Sequence, residues 1–435
     1  MHLTFEQECA VATLAESNDS ELSLAGPAGS GKTTLIKALA DAFDDVEICT
    51  PTNKAAFVLR SKGLDASTIF KIFFVPEIVE NIGPNGHVVS KWLKFTPANE
   101  YCKGPLPIGK RAWCDVVIVD EASMIPTWIV AKMRRMAGKL ILVGDPHQLP
   151  PVRDKAVPGG YFNTRAHDCV LTTIHRQAEG SAVLELATAI RKESSKVVGH
   201  ANSFRPERSF EDLFHEDYQF IAFTNKERAR INFLCRQLLG RPDILPVPGD
   251  LMLSTDNFSD TIINGTPLTC IDFQWSDRGF EAANITVQLE DGTIEEHTMS
   301  MNAFLRDQLV SQAKDFGPVT ERRQKQAEAT PVTAPVTKPI EDRRQAVSAP
   351  LSLTYSYCLT AHKAQGSEFD KVCVIDQRNV IKLMTAAAIE RGEDSLSPEE
   401  MARRWIYTAV TRAKKELAIA GTWWAVLSLD VALAA

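Results

Sequence analysis

One glycine-rich segment constrains this chain more than any other: the nine residues Gly26-Pro-Ala-Gly-Ser-Gly-Lys-Thr-Thr34 complete the pattern G-x-x-x-x-G-K-[ST]. The apolar residues 22–25 before it predict a buried strand, and residues 35–40 after it predict a helix. Backbone N–H groups of such a loop surround phosphate oxygens, and the helix N-terminus adds partial positive charge. A glycine-rich turn that binds nothing is the alternative, but the flanking strand and helix favour a nucleoside triphosphate site.

The residues of this loop have separate expected roles. Lys32 is expected to contact the β- and γ-phosphates, and the Thr33 hydroxyl is expected to ligate Mg²⁺. The predicted nucleotide-binding residues of the loop are Gly26, Ala28, Gly29, Ser30, Gly31, Lys32, Thr33 and Thr34.

Two acidic residues, Asp120 and Glu121, follow the apolar residues 116–119, which predict a buried strand. An Asp in this position holds Mg²⁺ opposite the phosphate loop, and the adjacent Glu can orient or deprotonate an attacking water. The pair therefore favours hydrolysis over phosphoryl transfer to a metabolite.

Three further polar residues are candidates for the same site. The predicted strand 140–144 leads to Gln148, which can contact a γ-phosphate, and the predicted strand 171–175 delivers Arg176. A surface or ion-pair role is the alternative for Arg176. Gln7 lies on a predicted helix upstream of the loop, where its amide can read an adenine edge, although a plain surface Gln is the commoner role.

The predicted strand 46–50 ends in a polar turn. Pro51, Thr52 and Asn53 in this turn are well placed to hold a backbone phosphate, and a helix cap is the alternative. Farther on, Asn85-Gly86 separates two apolar-rich segments and predicts a β-hairpin inserted at residues 76–111. Trp92 of this hairpin either stacks on a ligand or packs the hairpin onto its host domain.

Composition limits the remaining choices. The 435 residues predict two or more domains, and the net charge of -7 argues against non-specific coating of nucleic acid while leaving room for a local basic groove. The nine cysteines never occur in C-x-x-C spacing, which favours a reducing compartment without a zinc site. With no secretory signal pattern at the N-terminus, the cytoplasm is the expected location. Residues 417–435 are interpreted as a buried strand and a packed terminal segment, with a membrane span as the alternative.

The pattern of apolar and polar residues changes at residue 246, in the second half of the chain. Short alternating segments, separated by turns such as Asn264-Gly and Asp291-Gly, predict a small antiparallel barrel inserted in this half. Residues 317–350 lack the apolar side chains needed for a core and predict a flexible linker or exposed arm.

In this order the segments resemble the superfamily 1 DNA helicases, and most closely their 5′→3′ branch of Dda- and RecD-like proteins. The resemblance implies an α/β fold with two RecA-like P-loop NTPase motor domains, a β-hairpin inserted in the first and an SH3-like β-barrel inserted in the second. The implied bounds are 1–175 for the first domain with its hairpin at 76–111, and 176–245 plus 351–435 for the second with its insertion at 246–350. The segments that carry the resemblance are Gln7, 26–34, 51–56, 120–123, 144–148, Arg176, 222–226, 360–368 and 407–414.

The resemblance also implies roles for residues outside the phosphate loop. Arg412 is expected to reach the γ-phosphate across the cleft, while Gly366 and Glu368 approach the nucleotide. Where the family tends to show Thr-x-His, this chain has Thr68-Ile-Phe70, so Phe70 either stacks on a base or fills core. The implied DNA-binding residues are Pro51, Thr52, Asn53, Thr68, Phe70, Trp92, Thr224, Asn225, Asn264, Thr360, His362 and Lys363.

The implied function is an ATP- and Mg²⁺-dependent helicase that moves 5′→3′ on single-stranded DNA and opens tailed duplex DNA. A monomer without membrane association is expected, with single-strand-binding, replication or recombination proteins as candidate partners. Three alternatives stay open: a translocase that strips proteins or remodels forks, an RNA helicase of the same superfamily, and a nucleotide-switched DNA-binding module.

Overall fold

Two separate parallel β-sheets form the framework of the protein in the computed structural model. The structure describes residues 3–82, 88–102, 105–151, 154, 156–157, 159–174, 182–192, 209–241, 243–256, 258–259, 262, 264–275, 282–309, 336–339, 350–392 and 396–421. Within these ranges, no helix combines the length and the apolar character needed to cross a membrane.

The first sheet has six parallel strands in the order β3-β2-β6-β7-β1-β8. Its apolar strands are buried on both faces, as expected for a parallel sheet covered by helices: Val117 and Val119 face one core, and Val116 and Ile118 face the other. The strands are β1 (Glu21–Ala25), β2 (Val46–Thr50), β3 (Ala66–Thr68), β6 (Cys114–Val119), β7 (Ala137–Gly144) and β8 (Cys169–Val170). The helices are α1 (Phe5–Glu16), α2 (Lys32–Ala40), α3 (Asn53–Ser61), α4 (Ile69–Phe73), α5 (Thr127–Met133) and α6 (Tyr161–Thr164).

One predicted strand of this domain is misplaced. The sequence predicts a strand over 171–175, but strand β8 ends at Val170, and residues 171–174 have no regular secondary structure. Only two residues pair with β1, and Leu171 adds a single backbone hydrogen bond to Ala25 O at 2.8 Å. β8 is a short edge strand, and the Thr pair after it resembles a strand only in its β-branched side chains.

The second sheet has four parallel strands in the order β16-β9-β17-β18. The fully buried Trp405 packs with Val372, Val374 and Ile419 on one face of it. The strands are β9 (Gln219–Ala222), β16 (Cys358–Thr360), β17 (Phe369–Asp376) and β18 (Ala413–Gly421). The helices are α7 (Ala182–Arg191), α8 (Phe210–His215), α9 (Asn225–Leu238), α11 (Ala361–Ala364), α12 (Arg378–Glu390) and α13 (Pro398–Val410). The predicted terminal strand is present in β18, and residues 422–435 lie outside the described part of the chain.

An antiparallel sheet is inserted in this second domain, with strands in the order β13-β12-β11-β10-β15. Met299 of β13 forms an isolated bridge with Leu351 just before β15, so the two edges of the sheet approach each other. Its inner residues Ile285 and Val287 share one core with Phe220 of the parallel sheet. Because Leu353–Tyr355 is part of this sheet, the insertion extends past its predicted end at 350. The strands are β10 (Leu251–Ser254), β11 (Pro267–Trp275), β12 (Ala282–Gln288), β13 (Ile294–Ser300) and β15 (Leu353–Tyr355), and helix α10 (Met301–Leu309) follows β13.

The predicted hairpin is present as the antiparallel pair β4 (Phe74–Ile82) and β5 (Val88–Pro97). Its predicted turn at Asn85-Gly86 lies outside the described residues. A third strand, β14 (Val336–Pro339), pairs antiparallel with β4. The prediction of a flexible arm over 317–350 is therefore wrong for these four residues. The backbone of β4 pairs with these residues, and a short edge strand tolerates its terminal proline.

Candidate functional site

A cleft of about 950 Å³ runs between the two domains. The first domain lines it with its glycine-rich loop and with the residues that follow β6 and β7. The second domain lines it with the segments around α11 and after α13. The predicted site residues on its walls are Ala28, Gly29, Gly31, Lys32, Thr33, Thr34, Asp120, Glu121, Gln148, Lys363, Gly366, Glu368 and Arg412.

The glycine-rich loop joins β1 to α2. Gly29 and Gly31 have φ angles of 82° and 80°, a region that glycine enters freely. A Cβ on Gly26 would lie 2.5 Å from Ser30 Oγ and 3.2 Å from Leu171 Cβ, so a larger residue there would have to displace these neighbours. Lys32 Nζ donates to the carbonyls of Gly26 at 2.9 Å and Pro27 at 3.0 Å, which places the ammonium over the mouth of the loop.

Gln7 is buried beside this loop and connects it to helix α1. Its Nε2 donates to Ser30 O at 3.3 Å, while its Oε1 accepts from the Thr4 amide at 3.0 Å and completes a capping box. Both ends of the side-chain amide are thus engaged by the chain itself. Adenine reading by Gln7 stays a prediction.

The predicted acidic pair follows β6 at the carboxyl edge of the first sheet. Asp120 accepts a hydrogen bond from the Glu121 amide at 2.8 Å, and Glu121 has φ of 54°, a left-handed conformation that is costly for a residue with a Cβ. Burial raises the pKa of Glu121 to about 7, the neighbouring Asp120 charge adds to this, and Arg412 and Lys32 oppose it. Glu121 can therefore gain or lose a proton near neutral pH.

The two predicted Mg²⁺ ligands, Thr33 and Asp120, both face the cleft. Burial raises the pKa of Asp120, and the nearby positive charge of Lys32 opposes that rise, followed by that of Lys62. Lys62 Nζ also lies 3.5 Å from the Thr33 hydroxyl. A hydroxyl and a carboxylate are the hard oxygen ligands that suit Mg²⁺, so these residues fit the ion. Lys62 was not among the predicted site residues, because no sequence motif contains it.

Arg412 reaches the cleft from the end of helix α13 and is 4% exposed. Its guanidinium donates to Thr408 O at 3.1 Å, Ser367 O at 3.2 Å and Thr411 Oγ1 at 3.1 Å. Its charge lowers the pKa of Glu121, so the two groups lie within electrostatic range of each other. The backbone of the second domain thus holds a positive charge opposite the glycine-rich loop.

Gln148 is buried on the opposite wall, and its Oε1 has no hydrogen-bond partner among the described residues. A buried amide oxygen without a partner is costly, so this side chain is available to a water or a ligand in the cleft. The other predicted arginine, Arg176, lies outside the described residues, as does the side chain of Trp92.

The four threonines with predicted DNA contacts all cap helices. The N-caps of α3, α4, α9 and α11 are Thr52, Thr68, Thr224 and Thr360, each at the end of a parallel strand or two residues after it. The cap, named above as the alternative for Thr52, is what the structure shows for each hydroxyl. The hydroxyls accept from the amides of Ala55 at 3.2 Å, Lys71 at 3.2 Å, Glu227 at 3.1 Å and Lys363 at 3.4 Å. Pro51 precedes the first cap, and Asn53 and Asn225 are the first residues of α3 and α9.

Phe70 belongs to an aromatic cluster at the base of the hairpin. Its ring centroid lies 4.8 Å from that of Phe74, 5.0 Å from that of Phe95 and 6.3 Å from that of Trp128. Phe95 and Trp128 remain 42% and 51% exposed. Phe70 therefore fills part of a core whose outer rings face solvent.

Three other predicted DNA contacts lie in the second domain. Burial lowers the pKa of His362, so its imidazole is neutral at pH 7. Burial also lowers the pKa of Lys363, with Asp307 opposing the shift. Asn264 lies in a turn that approaches helix α3 of the first domain, because a Cβ on Gly265 would lie 3.9 Å from Lys54 Cβ.

Helix α13 also makes direct contacts with the first domain. The Tyr407 hydroxyl donates to Asp145 Oδ2 at 2.6 Å, Arg404 Nη1 donates to Pro146 O at 2.5 Å, and the Leu149 amide donates to Thr408 Oγ1 at 3.0 Å. All three bonds end on the loop that carries Gln148. Sequence motifs alone did not indicate this contact, since its partners are about 260 residues apart.

Comparisons with known proteins agree with this architecture. Residues 2–204 match a family described as an AAA domain. The ATP-dependent DNA helicase Dda of Enterobacteria phage T4 is 26% identical over 294 residues, 57% of this chain and 59% of Dda. The ATP-dependent RecD2 DNA helicase of Deinococcus radiodurans is 30% identical over 172 residues, 38% of this chain and 21% of RecD2. The chain thus spans less than two thirds of either relative.

A solved structure resembles the whole chain. The Pif1 helicase from Bacteroides in complex with ADP-AlF3 and ssDNA superposes with a TM-score of 0.56 at 19% identity, covering 99% of this chain and 97% of that one. At this identity the likeness shows the fold, which is the two-domain RecA-like arrangement.

Proposed function

These likenesses support a superfamily 1 helicase of the Pif1, Dda and RecD type, and on that premise we propose that the protein hydrolyses ATP in the cleft to move along single-stranded DNA. We propose 5′→3′ movement, as the Dda and RecD likeness suggests, and opening of tailed duplex DNA by a monomer in the cytoplasm. One observation carries the proposal: Lys32 and Glu121 of one domain and Arg412 of the other line a single cleft.

The residues of the cleft divide the chemistry of hydrolysis among them. The loop amides and Lys32 hold the phosphates, and Gln148 positions the attacking water. Glu121 accepts a proton from that water as its oxygen attacks the γ-phosphorus and the bond to the leaving ADP breaks. Mg²⁺ held by Thr33 and Asp120 would neutralise phosphate charge. Arg412 then stabilises the charge on the transferring group, so hydrolysis depends on a closed cleft.

In this proposal the four capped helix N-termini form a track for the DNA backbone. Two belong to the first domain, at Thr52 and Thr68, and two to the second, at Thr224 and Thr360. Helix N-termini attract phosphate because their free amides and dipole present positive charge. Closing and opening of the cleft would change the spacing of the two pairs, and alternating grips would then draw the strand along.

In this proposal the hairpin β4–β5 acts as a wedge at the duplex junction. Opening a base-pair step costs about 1.4 kcal/mol on average, which is within reach of one ATP per step. The proposed wedge needs only to keep the strands apart while the grips advance.

Strand displacement on duplexes with a 5′ or a 3′ single-stranded tail tests this proposal, with Lys32→Ala as the blank. We expect opening of the 5′-tailed substrate alone, and stimulation of ATPase by DNA rather than RNA. Opening from the 3′ tail would overturn the polarity. If neither substrate opens while DNA still stimulates the ATPase, a translocase that strips proteins or remodels forks is favoured. Stimulation of the ATPase by RNA would favour an RNA helicase. Absence of ATP turnover would favour a nucleotide-switched DNA-binding module.

A further inference from the structure

The Tyr407 hydroxyl is a buried junction between the two domains. Tyr407 is 2% exposed on helix α13, and its hydrogen bond to Asp145 Oδ2 crosses from the second domain to the first. The other carboxylate oxygen of Asp145 accepts from the His147 amide at 3.0 Å and closes the turn that leads to Gln148. Both oxygens of this fully buried carboxylate are therefore in use, one for the turn and one for the helix.

The hydroxyl is held in the donating state. Burial raises the pKa of Tyr407 well above its usual range, the charge of Asp145 adds to this, and the backbone amide of Ala28 opposes it. Ala28 belongs to the glycine-rich loop, so one phenol contacts that loop, the Asp145 turn and its own helix. A buried phenol and a buried carboxylate each need a hydrogen-bond partner, which makes this contact specific rather than incidental.

Two further bonds fix the same helix to the same loop. Arg404, one turn before Tyr407, binds Pro146 O, and Thr408 binds the Leu149 amide. Arg412 follows Tyr407 by five residues and lies two residues beyond the end of helix α13. The bonds of this helix therefore connect the position of Arg412 to the loop that carries Gln148. Bonds to main-chain atoms fix where the helix lies, and Tyr407 is the member of this set that also contacts the glycine-rich loop.

We propose that Tyr407 is a positioning residue for ATP hydrolysis: its hydrogen bond to Asp145 sets the register between helix α13 and the Gln148 loop, so that Arg412 and Gln148 meet the same phosphate group. This inference rests on the proposed hydrolysis of ATP in the cleft. Tyr407 itself acts only through these two residues.

The test variant is Tyr407→Phe, which keeps the ring and removes the hydroxyl. Loss of a hydrogen bond to a carboxylate at this point should lower kcat for ATP about 10-fold. The Kd for a non-hydrolysable ATP analogue should change by less than about 2-fold, because Lys32 keeps its bonds to the carbonyls of Gly26 and Pro27. The matched control is Tyr218→Phe, which removes a hydroxyl bonded to Glu416 at 2.9 Å in the same domain and should leave kcat unchanged.

A second measurement separates positioning from a structural role and does not need turnover. Binding of ADP with aluminium fluoride mimics the transferring phosphoryl group, so Tyr407→Phe should weaken it about 10-fold more than it weakens the ATP analogue. Asp145→Asn should have a similar effect, and the double variant should be no worse than either single one if both act through one bond.

The inference fails if Tyr407→Phe binds both ligands as the wild type does, or weakens both equally. It also fails if the two substitutions have additive effects. Absence of strand displacement by the wild type would overturn the helicase proposal alone, because this binding ratio can still be measured. A wild type that does not distinguish the two ligands would overturn both.

Discussion

The two walls of the cleft are built in different ways. On the first wall, the glycine-rich loop, Asp120 and Gln148 follow strands β1, β6 and β7 of one parallel sheet, which brings them to the same edge. On the second wall, Arg412 follows a helix whose position depends on bonds to the first domain. The first wall is therefore complete within its own domain, whereas the second is correctly placed only while the domains are in contact. This difference predicts that nucleotide binding depends on the first wall and that ATP hydrolysis requires both walls.

The sharpest test of this contrast is Arg412→Ala. Because arginine charge stabilises the transition state of phosphoryl transfer, we expect ATP turnover to fall about 10³-fold. Binding of a non-hydrolysable ATP analogue, measured by calorimetry, should barely change. Arg403→Ala is the matched control, since Arg403 lies on the same helix and binds Glu400 and Arg191 O instead. Equal losses of turnover and analogue affinity would contradict the division between the walls.

The corresponding change on the first wall is Lys32→Ala. Removal of this ammonium should lower turnover about 10²-fold, as for the loss of one preorganised donor. Unlike Arg412→Ala, it should also weaken the ATP analogue, since Lys32 would contact phosphate in the ground state. Lys37→Ala, five residues later on helix α2, serves as the control. If Lys32→Ala bound the ATP analogue with unchanged affinity, the assignment of nucleotide binding to the first wall would be wrong.

A smaller effect is expected from pH. With a pKa near 7, Glu121 is protonated in acid and cannot accept a proton, so kcat/KM should fall about 10-fold per unit below pH 7 and level off above it. Arg412→Lys keeps the opposing positive charge and should keep the inflection near 7. Glu121→Gln should abolish it. A flat profile in the wild type would mean that Glu121 is not the base.

The smallest effect on the cleft should come from the hairpin. Replacing residues 80–90 by a short Gly-Ser turn should abolish strand displacement but leave DNA-stimulated ATPase intact, because the cleft lies on other elements. Gel-based displacement and phosphate release would be measured on the same preparation. Loss of both activities would contradict a wedge role and would couple the hairpin to the cleft.

The sequence predicts the first wall better than the second. Buried β-branched runs predict strands β2, β6 and β7 within a few residues, and the phosphate-loop pattern predicts its own geometry, because local sequence determines both. Arg412 was named only through resemblance. The bonds of Tyr407 to Asp145 and of Lys62 to Thr33 could not be predicted, since they join polar residues from distant segments without a repeating pattern.

The hairpin and its third strand show the same limit. Residues 336–339 carry no apolar pattern, and they form a strand by pairing with the backbone of β4. The four threonines show the reverse case. For Thr52 the position after a parallel strand was predicted, with a helix cap as the alternative, whereas the caps at the other three threonines follow from the helices that begin there.

The pairing of β14 with β4 has a mechanical consequence. The chain enters β14 from the insertion of the second domain, whereas β4 belongs to the first, so the two domains are linked at the hairpin as well as at the cleft. The two domains are therefore in contact at two separate places, the nucleotide cleft and the β14–β4 pairing. On the proposed function, a rotation that widens the cleft would also load the four-residue ladder between β14 and β4, and the hairpin would then move with each turnover.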